Sequence, residues 1–273
     1  MIEFYKMSGS GNDFIIIDNL DLSIDVGDLS EFARKVCQRQ FSVGADGLVM
    51  IEPSDLADFK WRFFNADGSV AEMCGNAARC TARFAHMKGI ASSEMSWETI
   101  AGMISAEVNG DVARVRLTDP SPVQADITLE ADGQRYALDA VNTGVPHAVV
   151  FVDDLETYDV RTNGRRIRQH AYFSPQGTNA DFVLVVNRQN LRVRTYERGV
   201  EDETLACGTG TVAAAVAAAQ RGLIESPVDV LVRGGETLCV YLENQNGLWR
   251  NIYLEGRVKM IYRGFLFEEA YRS

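Results

Sequence analysis

The chain has 273 residues and carries 38 acidic against 27 basic side chains, a formal charge of −11; this excludes the basic face that a nucleic-acid binder needs. With 46% hydrophobic and 24% charged residues it reads as a globular protein with enough apolar mass for one large or two medium cores. No apolar run reaches the ~20 residues of a membrane span, and the opening MIEFYKMSGSGNDF lacks the basic-then-apolar order of an export signal, so a cytoplasmic protein without a membrane partner is expected.

Taken in chain order, IEFYKMSG reads as a strand, Gly9 to Asp13 as a break, and FIIID as a second strand. Leu29, Phe32, Ala33, Val36 and Cys37 have helical spacing within Asp28 to Gln40, with Asp28 and Ser30 both able to cap it. LVMIE and WRFFN read as strands, and Ala66-Asp67-Gly68 turns the chain towards Cys74. A hairpin is expected between Met103 and Leu117, turning at Asn109-Gly110. TDPSPV, 118 to 123, is the most linker-like stretch, which places the domain boundary between residues 118 and 119.

The second half then repeats the order. A strand from Tyr136 to Val141 leads into a glycine-containing break, Thr143 to His147, and AVVFV resumes a strand. FVLVV and LRVRTYE are further strands. Glu201-Asp202-Glu203 reads as an exposed turn before a helix that opens at Cys207. The closing NIYLEGRVKMIYRGFLF is strand-like and is read as returning to the first domain, which gives 1–118 with 261–273 and 119–260 as the two domains.

Two segments stand out against this background. CGNAARCTARFAHMKG runs from Cys74 to Gly89 and CGTGTVAAAVAAAQRG from Cys207 to Gly222, each a Cys-Gly opening that closes on glycine fifteen residues later. Both read as helices with a cysteine at the N-terminus, where the aligned peptide dipoles favour an anion by roughly 0.3 to 2 kcal/mol. An ordinary thiol, with a pKa of about 8.5, is only a few per cent ionised at neutral pH; lowering it by about one unit makes the thiolate about a quarter of the total. Two such thiols in one cleft oppose each other's ionisation, which leaves one thiolate and one thiol at rest. That is the protonation state that proton removal on one face of a carbon and return on the other requires. The unpaired N–H groups of each helix start, beside Gly75, Gly208 and Gly210, suit a carboxylate and no cofactor is then needed. Polar residues accompany each thiol: Asn65 and Asn76 in one half, Glu197-Arg198-Gly199 in the other. The remaining cysteines, at 37, 80 and 239, have neither CxxC nor zinc spacing and read as buried reduced thiols, so no metal is expected.

These motifs, together with GSGNDF (9–14), GADG (44–47), FFNADGSVAEMCGNAARC (63–80), NTGVPH (142–147), GTNADFV (177–183), YERGVEDETLACGTGT (196–211) and EGRV (255–258), resemble the diaminopimelate epimerases, cofactor-independent amino-acid racemases. The resemblance implies an α/β chain of the α+β type with two pseudo-symmetric domains, each a curved, mostly antiparallel sheet around a central helix. It implies interconversion of LL- and meso-diaminopimelate, with Cys74 and Cys207 as the acid/base pair. Gly75, Asn76, Gly208 and Thr209 would hold the reacting carboxylate and amino group. Asn12, Asn65, Asn179, Glu197 and Arg198 would line the rest of the pocket, with Arg198 on the distal carboxylate and Glu197 suited to an ammonium group. His147 has two readings, a backbone-bonded histidine or an orienter near a cysteine; His86 and His170 read as surface or helix-end residues. Val145 and Asp181 stand where the family often has Asn, which bears on the distal end of the substrate. A homodimer is the assembly implied. Three rival readings are a racemase of another amino acid such as histidine or proline, a redox pair of thiols, and a non-catalytic binding protein.

Overall fold

The computed structural model describes residues 1–272. In chain order its main elements are β1 (Ile2–Gly9), β2 (Asn12–Asp18), α1 (Leu29–Val36), β3 (Gly47–Glu52), β4 (Phe59–Asn65), α2 (Gly75–Lys88), β5 (Glu94–Thr99), β6 (Gly102–Asn109), β7 (Val112–Arg116), β8 (Gln124–Ala131), β9 (Gln134–Asn142), β10 (Pro146–Phe151), α3 (Val160–Arg168), β11 (Asn179–Asn187), β12 (Asn190–Glu197), β13 (Asp202–Thr204), α4 (Gly208–Gln220), β14 (Val228–Val232), β15 (Thr237–Gln245), β16 (Leu248–Arg257) and β17 (Lys259–Leu266). The chain divides into two compact units, residues 1–115 with 255 onward and residues 116–254. Among the described residues no helix is long and apolar enough to cross a membrane.

The two units pair their strands in the same order. In unit 1 the neighbours run β17–β1–β2–β3–β4–β5–β6, with pairings antiparallel, antiparallel, parallel, antiparallel, parallel, antiparallel. In unit 2 they run β8–β9–β10–β11–β12–β14–β15 with the identical alternation. Each parallel step needs a crossover, and a helix supplies it: α1 and α2 in unit 1, α3 and α4 in unit 2.

Burial explains which helix is central. In α4, Val212 to Ala218 are all 0% exposed; a helix apolar all round has no face to give to water, and its alanines let the strands approach closely. In α2 the stretch Ala77 to Ala82 is likewise buried, and Arg79 and Thr81 lie inside with it. The outer helices are amphipathic. Phe32, Ala33 and Val36 of α1 pack on Ile15, Ile17, Leu48 and Met50, while Ile16 and Val49, pointing to the opposite face, are equally buried. A sheet covered on both faces reads as continuous apolar strands, as FIIID and LVMIE do. Asp28 rather than Ser30 caps α1, accepting from the Ser30 and Glu31 amides. The hairpin β6–β7 forms one residue later than expected, with Asn109 opposite Val112 and Gly110 in the left-handed region at φ 62°.

The run Glu201 to Glu203, expected as an exposed turn, is instead tied down. Asp202–Thr204 forms β13 against β12, because the Arg194 guanidinium grips Glu203 at 2.6 and 2.8 Å and Arg168 holds Glu201 at 2.9 Å.

Candidate active site

Cys74 and Cys207 occupy the same local position in their units. Each has extended backbone (φ −148°, ψ 123° and φ −117°, ψ 112°) and immediately precedes the first helical residue, Gly75 or Gly208. The helices end where Gly89 and Gly222 adopt φ 70° and 69°, a left-handed turn glycine makes without strain. The extended N-cap leaves the first helical N–H groups pointing out of the helix end.

In unit 1 a line of amides lies beside Cys74. Asn76, 3% exposed, donates from Nδ2 to Asn12 Oδ1 at 2.7 Å. Asn12 donates in turn from Nδ2 to Asp46 Oδ2 at 3.0 Å, and the Asp13 amide reaches the same oxygen at 3.1 Å. Arg39 closes the far end on Asp13 at 2.6 Å and Asp46 at 3.0 Å. Burial opposes ionisation of Asp13, but hydrogen bonds from Arg39 and Lys6 outweigh it and hold the carboxyl below its usual range. Asn65 ends β4 opposite Gly47 and donates into its own turn, Nδ2 to Ser69 Oγ at 3.0 Å. The pieces of unit 1 that the resemblance named are therefore joined at Asn12 and Asn76.

In unit 2 the supporting group is a buried carboxylate. Asp181, 0% exposed, receives the His147 Nδ1–H at 2.7 Å and the Thr195 hydroxyl at 2.7 Å. With Nδ1 protonated towards the carboxylate, His147 Nε2 is left to accept, and the Asn179 Nδ2 group lies 3.4 Å from it. Asn179 Oδ1 then accepts the Arg198 backbone N–H at 2.7 Å. His147 is thereby held between side chains and orients Asn179, which in turn pins the loop carrying Arg198. The Arg198 guanidinium reaches the Gln176 carbonyl at 3.1 Å. Asp181, read from the sequence as a matter for the distal end, sits against the first turn of α4: a Cβ on Gly210 would lie 2.3 Å from its Oδ1.

Cys207 is the more telling thiol. Its sulfur accepts the Gly210 N–H at 3.4 Å and lies 3.4 Å from the Thr209 hydroxyl, while the Thr209 carbonyl is held by Thr143 Oγ1 at 3.1 Å. Burial nevertheless pushes the thiol well above the usual range, and the carboxylates of Glu197 and Asp181 push it further; Thr209 and Gly210 pull the other way. The sequence reading looked to the helix end to lower this pKa. In unit 2 desolvation and then the two carboxylates win, so Cys207 holds its proton more tightly than an ordinary thiol. Glu197 is itself raised by burial. Cys37, a core thiol 2% exposed and pushed up to about 12 by burial, shows the difference: Cys207 alone of the two has an amide and a hydroxyl waiting to receive a thiolate. Among the described residues no three His, Cys, Asp or Glu side chains converge as a metal site.

Sequence reasoning missed Arg79, Ser10, Asp46 and Thr195, which support the named residues from behind. For Arg79 a signal existed: a cation in an alanine and cysteine stretch, three residues from Asn76 and so on the same helix face.

The profile of the family described as diaminopimelate epimerase matches residues 4–123 and 139–261. This chain belongs to the diaminopimelate epimerase family. The diaminopimelate epimerase of Aquifex aeolicus is 46% identical over 280 residues, covering 98% of this chain and 99% of the relative. That of Archaeoglobus fulgidus is 41% identical, covering 97% and 96%. Among solved structures, a phenazine biosynthesis protein of the PhzF family from Bacillus anthracis superposes with a TM-score of 0.74 at 15% identity, covering 97% of this chain and 99% of that one. A hydroxyproline epimerase from Agrobacterium vitis gives 0.66 at 16%, covering 99% and 96%. At such identities these neighbours share the fold of the diaminopimelate epimerases: a mixed α/β chain.

Proposed function

We propose that this member of the diaminopimelate epimerase family is a cytoplasmic isomerase that interconverts LL- and meso-diaminopimelate without a cofactor, using Cys74 and Cys207 as a two-base pair. One thiolate takes the proton from the α carbon as its C–H bond breaks. The electron pair delocalises into the carboxylate, and the thiol of the other cysteine delivers its proton to the opposite face. The enzyme ends with the two protonation states exchanged, so atoms and charge balance without redox chemistry. Cys207, rested as a thiol, supplies the proton in the turnover that begins with Cys74 as base.

The observation that carries this reading is the repetition: two units with the same strand order each put a cysteine at the N-terminus of their buried central helix, in a chain of this family. Helix N–H groups at Gly75, Asn76, Gly208 and Thr209 would hold the reacting carboxylate and accept the charge that develops as the proton leaves. Asn12, Asn65, Asn179, Glu197 and Arg198 would complete the pocket. A homodimer is the proposed assembly.

The test is proton NMR of the reduced protein with LL-diaminopimelate in heavy water. Appearance of the meso isomer, with deuterium at one α carbon and nothing added, supports the reading. Separate Cys74→Ala and Cys207→Ala variants should each lose about 10³-fold in interconversion, the scale of a lost acid or base. Wild-type protein that exchanges no α proton sinks it.

A further inference from the structure

Beneath the Cys74 helix end lies a side chain that the chemistry above does not use. Arg79 is 0% exposed and runs back towards the helix N-terminus, as long side chains on helices do. Its Nη2 donates to Asn76 Oδ1 at 2.8 Å and to Ser10 Oγ at 2.7 Å. The backbone makes room for it: a Cβ on Gly9 would stand 3.3 Å from Cys80 Sγ and 3.7 Å from Arg79 Nη2.

A guanidinium donates and never accepts. Asn76 must therefore turn its oxygen to Arg79 and its NH₂ group away. That NH₂ donates to Asn12 Oδ1 at 2.7 Å, so Asn12 is also oriented, and its own NH₂ reaches the Asp46 carboxylate at 3.0 Å. Flipping Asn76 would set N–H against N–H at Arg79; flipping Asn12 would set oxygen against carboxylate at Asp46. The cation at one end and the carboxylate at the other thus select one polarity for both amides. Each amide oxygen is spent inside the chain of bonds, and each amide nitrogen keeps one further N–H to give.

We infer that Arg79 is a positioning residue that fixes the polarity of Asn76 and Asn12, so that the half-site beside Cys74 presents N–H donors and receives a carboxylate in preference to an ammonium group. This rests on the epimerase reading for its ligand and on unit 1 alone for its geometry. Arg79 acts through Asn76, so its effect on catalysis must vanish when Asn76 is gone.

The experiment is a double-mutant cycle of kcat/KM with Arg79→Met, which keeps an unbranched side chain and removes every donor, in wild-type and Asn76→Ala backgrounds. Loss of one charge-assisted bond predicts about a tenfold fall in the wild-type background and less than about twofold beside Asn76→Ala. Equal losses in both backgrounds overturn the inference and make Arg79 a packing residue. A neutron structure of the unaltered protein reads the same point without a substitution, and decides it should Arg79→Met fail to fold. The Asn76 deuterons must face Asn12, and an oxygen found there overturns the proposal. A wild type inactive on diaminopimelate would end the epimerase reading while leaving the neutron result to judge amide polarity.

Discussion

Unit 1 places a guanidinium beneath its cysteine helix and unit 2 a carboxylate. From Arg79 the hydrogen bonds run outward through Asn76 and Asn12 to Asp46. In unit 2 Asp181 receives the His147 N–H, and Asn179 lies between His147 Nε2 and the Arg198 amide. The backbones repeat strand for strand, and the polar networks they carry have opposite charge at their buried ends. For a reaction that needs one thiolate and one thiol at rest, two identical half-sites would hold the proton equally well. In the proposed reaction, burial and then the carboxylates of Glu197 and Asp181, which raise the Cys207 thiol, would favour the proton on that side. The two units thus share a backbone plan and differ in the charge buried beside each cysteine helix.

The comparison breaks most visibly at Asp181. In Asp181→Asn the amide oxygen can stay on the His147 Nδ1–H only if the NH₂ turns to the Thr195 hydroxyl, which must then accept where it now donates. Both buried bonds survive in that arrangement as neutral ones, without the charged acceptor. The expected cost is about 3 kcal/mol, since the buried bonds at stake involve a charged acceptor, measured as the free energy of unfolding in urea. A loss below about 1 kcal/mol would mean that the carboxylate is not the anchor of unit 2.

A somewhat smaller effect is expected at Gly210. An added Cβ would stand 2.3 Å from Asp181 Oδ1 and 3.1 Å from Thr195 Oγ1, both held in place, so Gly210→Ala should cost about 2 kcal/mol as overpacking and reduce turnover with it. Gly222→Ala sharpens the reading. Its φ of +69° is strained for alanine but nothing lies within 4 Å of the added atom, so about 1 kcal/mol is lost and turnover is kept. Equal turnover in the two variants would remove the special role of close approach at α4.

What could be read before any coordinates follows from how local each signal is. Cys74 and Cys207 announce themselves through contiguous motifs with their closing glycines, and Asp28 caps α1 through atoms two and three residues away. The same locality explains the doubling of the fold, since each half repeats the order of its strands and breaks. The pairing of His147 with Asp181 depends on the register of two parallel strands, in which His147 lies opposite Asn179; no spacing along the chain reports it. α3 escaped notice because VRTNGRRIR offers only Val160, Gly164 and Ile167 to the core. Glu203 looked like solvent-facing charge because its partner Arg194 lies on another strand.

The smallest effect tests the resting proton itself. A thiolate is the form that iodoacetamide attacks, so the pH dependence of labelling follows the thiol's ionisation whatever the access to it. In the unfolded chain the inflection for Cys207 should fall near 8.5. In the folded protein burial comes first in raising it and the two carboxylates add to that, so the inflection should lie above the unfolded one and labelling at pH 8 should fall below the unfolded value. The sign carries into stability: with the folded pKa above the unfolded one, the thiol's contribution is complete at neutral pH and is lost as pH rises through the folded value. Measured on Cys74→Ala by peptide mapping, the folded inflection should then move down in Asp181→Asn, because one of the two opposing carboxylates is gone. An inflection at or below 8.5 in the folded protein would reverse the assignment and make Cys207 the resting base.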